Sequence, residues 1–532
     1  MARMEPNPAL DQLWKLAQER FNQSDIEGAK AACESMLVLD PLNSRAHVML
    51  GDICNQRDQH RLATLHALRA AARMGKQSLQ HIAGVSSRLI TVGEYEQAVG
   101  LIRKIDPAKL PAPAFLVEFS QQLSLLEQHE EALRFMDAAI RIGAKAESVS
   151  YLRGNYLKFL GRLDEAAVEY ERSLATNPNF AYAHWALAYL GAPGDPAPRV
   201  GRIRKAIEST AVNHPDLAYL SYALFKELDA LGDTDLAWKA LEAGFHSKRT
   251  RVKYDAQSEA ALFEQLAQAC GPGFVDDIPA GTATDAPAHT PIFVLGMPRT
   301  GTTLLERILG GHGQITLCGE LNDFRMQFKW ASDHHSLGFL DSVGVERIPT
   351  IDFGELGRRY LQHVAWRAPD TAFFSDKNPS NFMLAGLILR ALPQAKIIHL
   401  RRDPMDTCFS NLKELFAANS HPYSYDFADL AGHFRNYSKL MGHWHGIAPG
   451  RILDVNYEDL VSDPETAARR VMSYCGLSYD SGQIRMEANA TPVSTASSAQ
   501  VRQPIHSRNV GGWKRYAAHL EPLQKLLEDS AS

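Results

Sequence analysis

PIFVLGMPRTGTTLLERILGGHGQITLCGELNDF, residues 291–324, decides the fold of the C-terminal half. Ile292 to Leu295 is an unbroken apolar run, the pattern of a parallel strand buried on both faces. Gly296 to Gly301 holds two glycines and Pro298 and reads as a tight turn. Thr302 to Leu309 then predicts a helix, with Leu304, Leu305, Ile308 and Leu309 apolar and Gly310-Gly311 as its stop. Strand, glycine turn and helix together make an anion site. Backbone N–H groups converge there and the helix N-terminus adds about half a positive charge. The threonine hydroxyls of Thr300, Thr302 and Thr303 can donate to the same anion.

The spacing Gly296-x-x-x-x-Gly301 is that of a nucleotide phosphate loop, but Thr302 stands where a Walker loop has lysine. The strong cation is Arg299, inside the loop. Such a loop suits a shorter anion than a triphosphate, for example a 5′-phosphate carrying one more charged group.

Pro298-Arg299-Thr300-Gly301-Thr302-Thr303, followed by Cys318-Gly319-Glu320, resembles the 5′-phosphosulfate loop of sulfotransferases, and among them the protein-tyrosine branch. The resemblance runs from Pro291 to about Tyr516. It implies 3′-phosphoadenosine 5′-phosphosulfate (PAPS) as donor, with no metal required. It also implies a central parallel sheet in an α/β domain related to the P-loop fold.

Glu320 follows the short apolar segment Ile315 to Leu317. A carboxylate just past a strand can act as general base for a hydroxyl or phenol that loses its proton as the S–O bond forms. In the tyrosine sulfotransferases the glutamate after Cys-Gly is the base, 21 residues after the loop arginine, the spacing of Glu320 from Arg299. A surface or helix-capping glutamate is the other reading. His312 is a competing base, since cytosolic sulfotransferases use histidine; its place at the end of the loop helix favours capping or packing. Lys377, in Asp376-Lys377-Asn378-Pro379, matches the family lysine that contacts the leaving bridge oxygen, where a fixed ammonium favours the transition state.

Lys396 to Leu400 reads as a strand, Arg401-Arg402-Asp403-Pro404 as the turn after it and Met405 to Phe416 as a helix. Arg402 and Ser410 have the spacing of the family's 3′-phosphate pair, a cation after a strand and a hydroxyl two helical turns on. The chain departs from the tyrosine enzymes at Glu414, where they carry a further arginine; Lys413 is adjacent. Asp403 and Asp406 are expected to orient the arginines and cap the helix, and His399 to pack in the sheet. Arg451 to Asn456 reads as another strand, leading to Tyr457, a nucleotide-site or packing residue. Ser497, Gln500 and Val501 resemble the loop that closes over the donor, with Ser497 at the position of a transition-state serine. Lys514, in Gly511-Gly512-Trp513-Lys514, resembles the terminal nucleotide-binding segment, or is a plain loop.

The first half carries a repeat. Ala29, Ala63, Ala98, Ala132 and Ala166 recur at steps of 34, 35, 34 and 34 residues, each in a second-helix pattern such as EEALRFMDAAI. This is the tetratricopeptide signature, with alanine where paired helices cross closely. Ala237 lies 71 residues after Ala166, so one unit is irregular, and GAPGDPAPR at 191–199 marks the interruption. The expected organisation is an all-α tetratricopeptide solenoid over 1–270, a Gly/Pro/Ala/Thr-rich linker over 271–290 and a sulfotransferase domain over 291–532. Stacked repeats offer a surface for a peptide or protein, or for a second copy of the chain.

Composition sets bounds. With 532 residues, 45% hydrophobic and 22% charged, the chain reads as a multidomain soluble protein. A net charge of −5 argues against nucleic acid or an anionic membrane as main partner. The six scattered cysteines indicate neither a disulfide framework nor a zinc site. The N-terminus lacks an apolar signal core, and no stretch approaches a membrane span. The expectation is a reducing, cytoplasmic, bacterial setting, unlike the Golgi-anchored eukaryotic tyrosine enzymes. The acceptor is left open, with 321–370 and 415–450 expected to shape its pocket, and Phe324, Trp330, Phe416 and Tyr423 as candidate lining. Two other function classes are also open: a nucleotide kinase or NTPase, and a non-catalytic repeat scaffold with a decayed enzyme domain.

Overall fold

The computed structural model describes residues 8–72, 78–191, 194–277, 289–485 and 504–528. Packing divides the chain into two compact units: Met1–Gly143 with Asn322–Trp366, and Ala144–Leu321 with Arg367–Ser532.

Both units contain tetratricopeptide-type helix pairs, such as Ser44–Gln56 with His60–Ala72 and Glu147–Phe159 with Leu163–Thr176. The recurring alanines are the fourth residue of each second helix, and Ala29, Ala98, Ala132, Ala166 and Ala237 have no exposed surface. A second repeat feature lies five residues earlier. Ser24, Asp58, Gly93, Glu127, Gly161 and Gly232 all have positive φ, between 57° and 84°, so each first helix turns into the second through a left-handed residue. The irregular unit falls where expected. Position 200, 34 residues after Ala166, is Val200, and the helix Ala181–Leu190 packs chiefly on Asp216–Leu231 instead of on Ala197–Glu208. Val200 is buried there, where the other units bury alanine.

In the first unit, two of these turns receive the segment 322–366. The Asp58 carboxylate pairs with His334 (2.6 Å) and Arg347 (2.7 Å), and Met326 packs against Gly93, where a Cβ would come within 2.6 Å of it. The guanidinium groups of Arg61 and Arg359 lie 4.9 and 3.7 Å from the centre of the Trp330 ring. Phe324 meets Tyr360 edge-on. Packing therefore accounts for both aromatics.

The second unit holds a five-stranded, all-parallel sheet: β1 Thr290–Gly296, β2 Ile315–Leu317, β3 Phe373–Asp376, β4 Lys396–Arg401 and β5 Ile452–Asn456, in the order β2-β3-β1-β4-β5. Ile292, Phe293, Val294 and Leu295 have no exposure at all, so both faces of β1 are covered, as the continuous apolar run requires. One face packs on Leu305, Ile308 and Leu309 of the helix Thr302–Leu309 and on Ala468, Val471 and Met472 of Pro464–Cys475. His399 is a buried β4 residue whose Nδ1 lies 2.8 Å from Asp454 on β5. The six cysteines are free and buried. Among the described residues no helix is long and apolar enough to cross a membrane.

Since Ala166 is fully buried where its two helices cross, Ala166→Leu should overpack the pair and cost about 1–3 kcal/mol. A lowered urea midpoint checks this; an unchanged midpoint contradicts the crossing argument.

Candidate active site

Each strand ends in a residue singled out from the sequence. β1 runs into Arg299, Gly301, Thr302 and Thr303; β2 into Glu320; β3 into Lys377; β4 into Arg402 and the helix Pro404–Leu412 with Ser410; β5 into Tyr457. All strands are parallel, so these residues share the carboxyl edge of the sheet. β1 sits at the centre, between β3 and β4, where the chain order reverses and such sheets bind ligands. A cleft of about 670 Å³ opens there, and Arg299, Gly301, Thr302, Thr303, Glu320, Arg402, Ser410 and Tyr457 line it.

The loop is held by contacts that exclude side chains. A Cβ on Gly296 would lie 2.6 Å from the Leu400 carbonyl oxygen, and one on Gly301 2.5 Å from the Tyr457 ring. Between them Arg299 takes a left-handed φ of 69°. The Thr300 hydroxyl donates to the Met297 carbonyl at 2.8 Å, so it braces the turn, while Thr302 and Thr303 face the cleft. Arg402 donates to the Arg299 carbonyl at 3.1 Å, and its guanidinium lies 4.6 Å from the centre of the Tyr457 ring. Asp406 lies 3.8 Å from Arg402 and accepts from the Gly511 N–H at 2.6 Å, and Asp403 caps the helix through the Asp406 N–H. Tyr457 thus packs on both Gly301 and Arg402.

Glu320 is 41% exposed at the cleft, and its Oε1 lies 2.5 Å from Nζ of fully buried Lys377. A residue that the sequence reading missed positions this pair. Glu306, buried in the loop helix, accepts from the Gly319 N–H (3.1 Å) and the Ser375 hydroxyl (2.7 Å), while the Lys377 N–H donates to the Gly319 carbonyl (2.9 Å). Burial pushes the Glu306 carboxyl above its usual range, with Lys377 opposing. The available signal was a glutamate between Leu305 and Ile308 in a short apolar helix.

The cleft is strongly positive. Lys158, Lys226, Arg299, Arg402, Lys413, Arg508 and Arg515 line it, against Asp229, Glu320 and Glu414. Glu414 lies 3.8 Å from Arg299, and burial pushes its carboxyl up against the pull of Arg299, Lys226, Lys158 and Lys413. Lys158 and Lys226 come from repeat helices and went unnoticed in the sequence. The repeats also hold the helix that carries Ser410: Tyr222 and Tyr189 donate to the carbonyls of Leu412 and Lys413 at its C-terminal end, at 2.8 and 2.6 Å.

Other expected residues lie elsewhere. Ser497, Gln500 and Val501 fall outside the described residues. Lys514 is exposed in the turn Gly512–Tyr516, and Arg515 and Tyr516 of that turn line the cleft. His312 accepts the Gln314 N–H through Nδ1. Phe416 lines the cleft, and Tyr423 stacks on His433 at 3.5 Å between ring centres.

The model of the sulfotransferase family matches residues 291–481. These residues form a sulfotransferase-family domain. An uncharacterized protein of Aquifex aeolicus (strain VF5) is 30% identical over 385 residues, 70% of this chain and 49% of that protein. The protein-tyrosine sulfotransferase of Drosophila melanogaster is 21% identical over 42% of this chain and 46% of its own length. The chain thus spans about half the length of these relatives. The solved sulfotransferase domain of the Synechococcus PCC 7002 olefin synthase is 20% identical, covering 47% of this chain and 97% of that one, with a TM-score of 0.33.

Within the sulfotransferase domain, Glu306→Ala removes the acceptor for two buried donors and should cost about 2–4 kcal/mol, whereas Glu306→Gln keeps an acceptor and should cost under about 1.5. Denaturant unfolding of both variants checks this. Equal losses would contradict the assigned hydrogen bonds.

Proposed function

We propose that the chain moves a sulfuryl group from PAPS to a hydroxyl or phenol acceptor. The observation that carries this reading is the meeting, in one cleft, of the Arg299 loop, the Glu320–Lys377 pair and the Arg402–Ser410 pair. The loop and Arg299 would take the 5′-phosphosulfate. Arg402, Ser410 and Tyr457 would take the 3′-phosphate end of the nucleotide, the part that ordinary adenine nucleotides lack. Fixed cations would supply the charge stabilisation that magnesium gives in kinases, so the reading needs no metal.

The acceptor oxygen attacks sulfur in line. Its bond to sulfur forms as the bond from sulfur to the bridging oxygen breaks, and that electron pair stays on the 5′-phosphate. Glu320 takes the acceptor proton, and Lys377 stabilises the departing bridge oxygen. The 2.5 Å contact between Glu320 Oε1 and Lys377 Nζ puts the proposed base and the proposed cation side by side. Ser497 is retained as a transition-state candidate, Gln500 and Val501 as candidates of the loop that closes over the donor, and Lys514 as a candidate of the terminal nucleotide-binding segment. Tyrosine in a peptide is a candidate acceptor, in line with the name of the Drosophila relative. Residues 1–270, the linker 271–290 and 291–532 are kept as the functional division, with the repeats serving the acceptor or a second copy of the chain.

Glu320→Gln should lower sulfuryl transfer from labelled PAPS at least a hundredfold, within the range ascribed to a general base of about 10²–10⁴, while adenosine 3′,5′-bisphosphate still binds within twofold. Near-normal turnover in this variant would remove Glu320 from the base role.

A further inference from the structure

One wall of the cleft comes from outside the sulfotransferase-family residues. Lys158 on the helix Glu147–Phe159, Trp185 and Tyr189 on Ala181–Leu190, and Lys226 on Asp216–Leu231 all line it, and Lys413 completes the group from the sulfotransferase side. The same cleft is lined by one buried carboxylate, Glu414, which Arg299 approaches to 3.8 Å and on which all three lysines act electrostatically. Among the described residues, none of the three lysines makes an ion pair. Their ammonium groups lie instead near rings: Lys226 is 5.2 Å from the centre of Tyr189, Lys158 4.9 Å from Phe159 and Lys413 4.9 Å from Phe409.

We propose that this wall is the acceptor subsite, and that the acceptor carries an anionic group beside the hydroxyl that is sulfated. The inference rests on the sulfotransferase reading and adds the acceptor's chemistry to it. The lysines hold the anionic group, and Tyr189 and Trp185 offer flat apolar surface to the body of the acceptor. The ammonium groups that share this wall repel one another, and an incoming anion reduces that cost. Burial, reinforced by Lys226, already pulls Lys413 down to about 7, and burial alone pulls Lys158 down to about 8. The donor has its own cations in Arg299, Lys377 and Arg402. On this view the repeats are part of the active site and not a separate docking module.

The test is calorimetric titration of the full chain saturated with adenosine 3′,5′-bisphosphate. The probes are 4-hydroxyphenylacetate and tyramine, phenols that differ in the sign of their charge. The carboxylate should bind at least tenfold tighter than the amine. Lys158→Ala with Lys226→Ala should weaken it at least tenfold and leave the bisphosphate affinity within twofold. The milder Lys226→Gln should lose at least threefold alone, and Lys158→Arg with Lys226→Arg should keep most of the affinity. Equal binding of the two phenols, no binding of the carboxylate, or an unchanged affinity in the lysine variants overturns the proposal. An equal fall in bisphosphate affinity also overturns it, by placing the lysines on the donor. If the unaltered chain does not bind the bisphosphate at all, the sulfotransferase reading falls and takes this proposal with it.

Discussion

The site depends on the absence of a Cβ at two places. The chain leaving β1 passes the Leu400 carbonyl at Gly296 and the Tyr457 ring at Gly301, with room for hydrogen alone at each. Between these points Arg299 is left-handed, a conformation that costs a non-glycine residue of order 1 kcal/mol and persists only where its surroundings enforce it. Here Arg402 holds the Arg299 carbonyl, Asn411 holds the Pro298 carbonyl at 2.8 Å, and Thr300 closes the turn on Met297. The same contacts set where Arg402 and Tyr457 stand, so the loop and the two groups opposite it are positioned together.

Much of this was legible in the chain. The strands could be read because the sheet is covered on both faces, which turns β1 into an unbroken apolar run and leaves β4 apolar but for His399 between its charged ends. The repeat could be read because only a small side chain fits the helix crossing. The left-handed turn five residues earlier was hidden, since only three of its six positions are glycine and the others are Ser24, Asp58 and Glu127. The break after Ala166 showed as the missing alanine at position 200, where Val200 stands, and as the segment 191–199 before it.

The parts of the site that escaped sequence reading did so for physical reasons. Glu306 stands beside Arg307 between Leu305 and Ile308, and nothing in that spacing tells a buried carboxylate from a solvated one. Lys158 and Lys226 look like ordinary charges on amphipathic helices, well before the loop in the chain; only the tertiary fold brings them beside Glu414. Of 321–370, the stretch expected near the acceptor, residues 322–366 belong to the first compact unit, where Phe324 and Trp330 pack with Arg61, Arg359 and Tyr360. The cleft also works against the stability of its own surroundings. Burial disfavours the charged forms of Lys158 and Lys413, and a bound anion offsets part of that cost.

The central claim is that this cleft recognises a nucleotide by its 3′-phosphate, and calorimetry tests it most directly. Adenosine 3′,5′-bisphosphate should bind without magnesium and at least tenfold tighter than 5′-AMP or ATP, and Arg402→Ala should erase that preference. Equal affinity for the three nucleotides, or tight binding of ATP that needs magnesium, would contradict the account and return the loop to a kinase or scaffold role.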